Sequence, residues 1–428
     1  MNDLNRAPLV PITELLSFIV DNRGKVCPTV ENGFPLIATN CIKLSSIYPT
    51  FENIRYVSKD TLENWFRAEL KPNDILFVNK GTPGRVCLVP NPVNFCVAQD
   101  TIGLRVNEKI YYKYLFAVLR SDYIQNIITN YHVGIAIPHF KKSDLNNLLI
   151  PLPDIQTQKK IGDLYCGLSE IIENNNKIIS ELESLAKTIY DYWFLQFEFP
   201  NEDGKPYKSS GGKMVWNEEL KREIPEKWNV KKIKDCVQHI NTGLNPRNHF
   251  SLNEGGNVKY ITVKNLTTTG IIDFSGCDKI TKEVKQLINK RSMIEKGDIL
   301  FASIAPLGRC FLMYETPEDW EINESVFAIR PNYRVVNSEY LYMFFMSDWF
   351  IKKAEHASTG SIFSGIRIST LEDTYIIVPP KSVLDSFKII VEPLYRIKFN
   401  NDKQNQELAS LRDFLLPMLM NGQVTFKD

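Results

Sequence analysis

The sequence predicts an α+β protein: two globular domains of similar fold, separated by two long antiparallel coiled-coil helices and related by an internal pseudo-twofold duplication. Three observations predict it. Ile161, Leu164, Leu168, Ile171, Asn175, Ile178, Leu182, Leu185, Ile189 and Tyr192 recur at alternating steps of three and four, the a/d seam of a coiled coil. The same spacing returns at an offset of 226 as Phe387, Ile390, Leu394, Ile397, Asn401, Gln404, Leu408, Leu411, Leu415 and Met418. Each helix is preceded by a stretch of short β-rich runs and turn residues. Two matching apolar stripes leave water most simply by packing on each other. The expected contacts are Leu168, Ile171, Asn175, Ile178 and Leu182 against Leu394, Ile397, Asn401, Leu408 and Leu411. An antiparallel pairing would bring Asn175 near Asn401, a buried polar pair that costs stability and fixes register. A segment of about 32 residues spans roughly 50 Å, longer than an ordinary globular helix. Tyr165, Ile172, Ile179, Ala186 and Trp193 widen the first stripe, so something further is expected to pack there.

With 428 residues the chain is too long for one core. The expected division is a first domain at 1–153, a helix at 154–196, a linker at 197–224, a second domain at 225–378, a helix at 379–422 and a tail at 423–428. In the first domain, Phe34–Ala38 and Asp74–Val78 read as strands, Tyr111–Thr129 as a helix, and Leu148–Pro153 as an edge strand because its prolines exclude helix. Pro200, Gly204, Pro206 and Ser209–Gly212 mark the linker. From Ile224 the first half is replayed. Gly297-Asp298-Ile299-Leu300-Phe301 answers Asn73-Asp74-Ile75-Leu76-Phe77, and Gly308-Arg309 answers Gly84-Arg85 at the same offset of 224. Tyr340–Phe350 answers the Tyr111 helix, and Leu371–Pro380 answers Leu145–Pro153. The loops differ: Gly81–Arg85 faces Ala305–Arg309, and Tyr131–Ile135 faces Ser358–Ile362. One scaffold with divergent loops implies two related readers with different targets.

Lys plus Arg total 51 against 50 for Asp plus Glu, so any basic footprint is local. The eight cysteines form no C-x-x-C pair and no metal-ligand spacing, so they read as reduced, mostly buried thiols. No metal or cofactor is expected. Without a signal core or a membrane-length apolar run, the expectation is a soluble cytoplasmic protein.

In its order of motifs the chain resembles the specificity subunits of type I restriction-modification systems. The Gly-Asp-Ile-Leu-Phe strand with its Gly-Arg loop carries the resemblance, together with Thr359-Gly360-Ser361-Ile362 leading to Ile377-Val378-Pro379-Pro380. So do Ile224-Pro225 with Trp228, the prolines at 151 and 153 before Gln156 and Gln158, and the Leu415-Leu416 to Gly422 close. The first domain departs from the pattern: it opens with Val10-Pro11-Ile12, and Val133-Gly134-Ile135-Ala136 replaces the Thr-Gly-Ser-like turn. The resemblance implies a non-catalytic DNA reader. Its two target-recognition domains each read half of an asymmetric, interrupted site in double-stranded DNA, and its helices set the gap. The implied partners are two adenine methyltransferase subunits on the helices, with restriction/translocase subunits joining that core.

No (Asn/Asp)-Pro-Pro-aromatic motif or glycine-rich cofactor loop is present, and no phosphate-binding G-x-x-x-x-G-K-[ST] run. Arg85 and Arg309 stand on small-residue turns at strand ends. There each reaches a phosphate or a guanine edge, or instead props its own turn on carbonyls. The other candidate DNA contacts are Lys80, His139, Lys141 and Lys142 in the first domain, and Arg247, Lys264, Asn265, Ser361 and Arg367 in the second. Two rivals remain open. One is a duplicated coiled-coil scaffold that binds other proteins without reading DNA; the other is an enzyme with its own nuclease or methyltransferase activity.

Overall fold

The computed structural model describes residues 7–22, 24, 26–131, 138–247, 249–358 and 365–426. The chain forms two compact units, Met1–Lys177 with Lys403–Asp428, and Ile178–Asp402. Each long helix crosses from one unit to the other, so each unit owns one globular head and half of both helices.

The first head is built on a four-stranded antiparallel sheet in the order Leu16–Val20, Thr101–Val106, Ile75–Val78, Val86–Leu88. Beside it lies a three-stranded sheet whose central strand, Phe34–Ile37, pairs antiparallel with Arg55–Val57 and parallel with Cys96–Val97. The second head repeats both sheets with the same order and directions: Val237–Thr242, Val326–Pro331, Ile299–Ala302 and Cys310–Leu312, then Val258–Ile261 between Asp278–Ile280 and Trp320–Ile322. The strands Ile75–Val78 and Ile299–Ala302 are buried along their whole length, which is why both read as unbroken apolar runs. The prolines before the first helix do mark a strand: Leu149–Pro151 pairs with Leu9–Pro11, as Tyr375–Val378 pairs with Asn229–Lys232.

The repeated aspartate of the strand motif is now explained. Asp74 is buried and receives Arg105 at 2.9 and 2.8 Å and the Lys71 N–H at 2.8 Å. Asp298 receives Arg330 at 2.8 and 2.9 Å and the Glu295 N–H at 2.8 Å. A bidentate arginine that neutralises a buried carboxylate staples neighbouring strands in both heads.

Three expectations are corrected. Tyr111–Thr129 is two helices, Tyr112–Arg120 and Asp122–Asn130, broken at Ser121, whose hydroxyl donates to the Val118 carbonyl at 2.6 Å. Ser347 breaks the second copy the same way, between Ser338–Met346 and Asp348–Ser358. Serine followed by aspartate is an N-cap signal that the apolar period concealed. Residues 197–224 are no loose linker. They carry a hairpin, Met214–Asn217 with Arg222–Pro225, and bury Phe197 and Phe199, the latter stacked on Tyr207 at 4.6 Å.

The third correction concerns the seam. The helices run Ile155–Tyr190 and Lys381–Met420 and are antiparallel within each unit. In the first unit Asn175 meets Gln404 and Asn405, and Ser169 meets Arg412; in the second, Glu183 meets Lys398 and Tyr190 meets Phe387. Asn175 is buried, but its partners lie a turn beyond Asn401. Ile171, Ile178, Ile397 and Leu411 of the expected seam are 42–47% exposed. The buried face instead holds Tyr165, Ile179, Ala186 and Tyr190. The first helix has apolar residues at adjacent positions in successive heptads, and the heads take the side that the pattern left for a partner, the first head at Tyr165 and the second at Ala186 and Tyr190. Gly162 shows how close that packing is: a Cβ there would stand 2.6 Å from the Tyr114 backbone nitrogen.

Candidate nucleic-acid interface

In both heads the fold brings the two divergent loops together. After Ile75–Val78 the chain turns at Gly81 and Gly84, both at positive φ, and Gly81 N–H donates to Pro138 O at 3.0 Å. Lys80 and His139 form an isolated antiparallel bridge, held from below by Asn79, whose side chain donates to Phe140 O at 2.9 Å. In the second head the equivalent bridge is Ile304 with Gly365. The same architectural point therefore carries a lysine and a histidine in one head, and an isoleucine and a glycine in the other.

Lys80, His139 and Lys142 line one open groove of about 920 Å³ in the first head, with Phe18, Arg67, Gln99 and Asp100. Lys141 is exposed beside it. Arg85 is half-buried at the next turn. In the second head Arg247, Lys264 and Arg367 are exposed. Arg247 follows a turn in which its N–H donates to the Asn245 side chain at 3.1 Å, and Arg367 is the N-cap of the short helix Ile368–Glu372. Ser361, with the segments 132–137 and 359–364, lies outside the described residues.

Two second-head candidates have evident structural work. Arg309 donates to the carbonyls of Pro306 (3.0 Å), Val263 (2.5 Å), Ile304 (3.1 Å) and Ala305 (3.3 Å), and burial pulls its pKa below the usual arginine value. It braces its turn. Asn265 is buried, accepts from Thr262 N and Oγ1, and donates to Asp273 O and Cys277 Sγ. Its side chain locks a turn. Sequence reasoning passed over Arg67 and Gln99, which stand in no motif of their own.

Among the described residues no group of three His, Cys, Asp or Glu side chains could hold a metal ion, and no helix is long and apolar enough to cross a membrane. The fold and site thus define a duplicated α+β protein with two similarly framed, differently furnished heads on paired helices. The family of type I restriction-modification DNA specificity domains matches residues 25–184 and 225–410, and the chain belongs to it. A type I restriction enzyme MjaIX specificity subunit of Methanocaldococcus jannaschii is 25% identical over 360 residues, covering 83% of this chain and 78% of that protein. The HindI specificity subunit of Haemophilus influenzae is 24% identical over 417 residues, covering 84% and 88%. The crystal structure of a type I restriction-modification S subunit from M. genitalium superimposes with a TM-score of 0.56 at 18% identity, covering 100% of this chain and 98% of that one, a likeness of fold. DNA recognition is the function of this family, and the pure protein-scaffold reading is not favoured.

Proposed function

We propose that each head reads one half of an asymmetric, interrupted site in double-stranded DNA, and that the length of the helices sets the gap. The observation that carries this reading is the duplicated framework with unlike loops: Arg105–Asp74 and Arg330–Asp298 are the same, whereas Lys80–His139 and Ile304–Gly365 are not. Two readers of one build and different chemistry require two different half-sites. The chain is a non-catalytic, cytoplasmic subunit, and two adenine methyltransferase subunits with restriction/translocase subunits complete the complex. Within the second unit, Ile178 and Leu185 are exposed seven residues apart on the first long helix, which suits a helix of the methyltransferase as their occupant. The near-neutral charge of the chain fits partners that supply much of the phosphate grip.

The test is co-expression with the methyltransferase subunit and single-molecule mapping of methylated adenines. A bipartite asymmetric motif that vanishes without this chain is expected. Deleting seven residues from both long helices should shorten the gap and leave both half-sites intact. An active methyltransferase whose methylation is indifferent to this chain would overturn the reading.

A further inference from the structure

The first-head groove holds an arginine whose backbone is fixed by a buried side chain beneath it. Asn22 is buried, and its carboxamide is fully engaged: Oδ1 accepts the N–H groups of Arg67 at 2.8 Å and Ala68 at 3.1 Å, while Nδ2 donates to Ala68 O at 3.0 Å and Val97 O at 3.2 Å. Four hydrogen bonds from one side chain fix the backbone under Arg67 and tie it to the strand Cys96–Val97. Gly24, at φ +119°, lies beside the guanidinium: a Cβ there would sit 3.5 Å from an Arg67 terminal nitrogen, an ordinary van der Waals contact.

The guanidinium itself is exposed in the groove, and among the described residues no hydrogen bond or ion pair engages it. Three other arginines in this unit are spent within the fold: Arg105 on Asp74, Arg120 on the carbonyls of Lys43 and Ser46, Arg412 on Asp413. A fixed backbone beneath an uncommitted planar donor reduces the ordering cost of a bidentate contact. The groove around it is mixed in character. The carboxylates of Asp21 and Asp100 line it together with the cations, and Phe18 and Val26 add exposed apolar surface. Acids repel phosphates, whereas acids, an amide and apolar atoms together match the donors, acceptors and methyl groups on base edges.

We infer that Arg67 is a specificity-determining residue of the first head, reading the O6/N7 edge of a guanine, with Asn22 as its positioning residue. This rests on the DNA-reading function proposed above. It goes beyond it by assigning one base to one side chain.

The experiment uses the full chain co-expressed with its methyltransferase, with methylated adenines mapped by sequencing. The wild-type motif should contain a guanine in at least one half-site. Arg67→Ala should relax one guanine in one half-site, raising methylation of sites with another base there on the order of 10- to 100-fold relative to the cognate site. The other half-site and the gap should be unchanged. Arg67→Lys should keep charge but not the fork, and so restore the preference only in part. Asn22→Ala should blur the same base and no other, whereas a role confined to folding would lower methylation at all sites alike. A uniform loss with Arg67→Ala, an unchanged motif, or a wild-type motif without guanine would overturn the assignment while leaving the two-headed reader intact. A wild-type chain that directs no motif would instead overturn the proposed function itself.

Discussion

Lys398 offers the sharpest test of how the second head is held to its helices. It is buried on the second long helix, pairs with Glu183 of the first, and donates to the carbonyl of Thr269 in the head. Burial pulls the lysine pKa down, and burial pushes the glutamate up, in each case ahead of their mutual attraction. Both partners are thus driven towards their neutral forms, so the pair costs the fold more in desolvation than attraction returns. Breaking it should be worse than deleting it. Lys398→Met keeps the stem volume and strands Glu183, which is 25% exposed and keeps some water, so the cost falls near the lower end of the range for a broken buried pair, about 3 kcal/mol. Lys398→Met with Glu183→Leu removes both charges and orphans only the Thr269 carbonyl, at about 1–2 kcal/mol. Urea unfolding followed by tryptophan fluorescence reads both, with Trp228 and Trp320 in the same unit. The cost of the single change should shrink as pH falls towards the raised pKa of Glu183, because a neutral acid needs no ammonium. A double variant as unstable as the single one would refute the reasoning.

Further outcomes are expected. Glu321 is buried, accepts from Ser292 Oγ at 2.7 Å, and burial raises its pKa from 4.5 to about 7. The folded state therefore binds this proton more tightly than the unfolded chain, so stability present below about pH 4.5 is lost as pH rises through 7, on the order of 3 kcal/mol at 1.36 kcal/mol per unit. Glu321→Gln should flatten that slope in unfolding curves measured from pH 5 to 8. Leu185→Glu should leave the chain folded by circular dichroism and abolish co-purification of the methyltransferase, while Ala186→Glu, one position along on the buried face, should cost folding itself. Arg309→Ala removes four carbonyl bonds, three to its own turn and one to Val263; it should lower stability by about 1–3 kcal/mol and weaken recognition through the second half-site alone, and equal loss at both half-sites in methylation maps would contradict this.

The duplication was legible in the sequence because its carriers are apolar and local. The Ile75–Phe77 and Ile299–Phe301 strands, the Gly-Arg turns and the helix period all follow from residue type and spacing. Which flank of the helix stripe is buried was not legible. Ile171 and Ile172 are equally apolar neighbours, and the choice between such flanks is made by the tertiary packing of the head, at Gly162 against the Tyr114 backbone. The site was half legible. Lys80, His139 and Lys142 announced themselves as polar side chains on loops, but Asn22 and Arg67 are 45 residues apart in sequence, and only the hydrogen bonds of the folded head join them. Arg309 could not be resolved from sequence, since a guanidinium that braces carbonyls and one that contacts DNA occupy the same kind of turn.

How each head is tied to the helices shows why framework similarity outlasts residue similarity. In the first unit Glu173 of the first long helix accepts the backbone N–H of Ile47 at 3.1 Å. In the second unit Lys398 of the second long helix donates to the backbone carbonyl of Thr269. Ile47 and Thr269 follow equivalent strands, Phe34–Ile37 and Val258–Ile261, so the same joint is made with opposite charge and opposite backbone polarity. At the helix offset of 226, Lys398 stands where Ile172 stands, so the anchor has also moved by one residue. A joint needs only one charged side chain long enough to reach an unpaired backbone group, and either sign finds one, because every peptide offers both a donor and an acceptor. In these two heads the contact keeps its place to within a residue while its chemistry is reversed. On the proposed reading surface the side chains differ between the heads while the backbone bridge keeps its place. That is the pattern of Lys80–His139 against Ile304–Gly365, where one bridge carries unlike side chains.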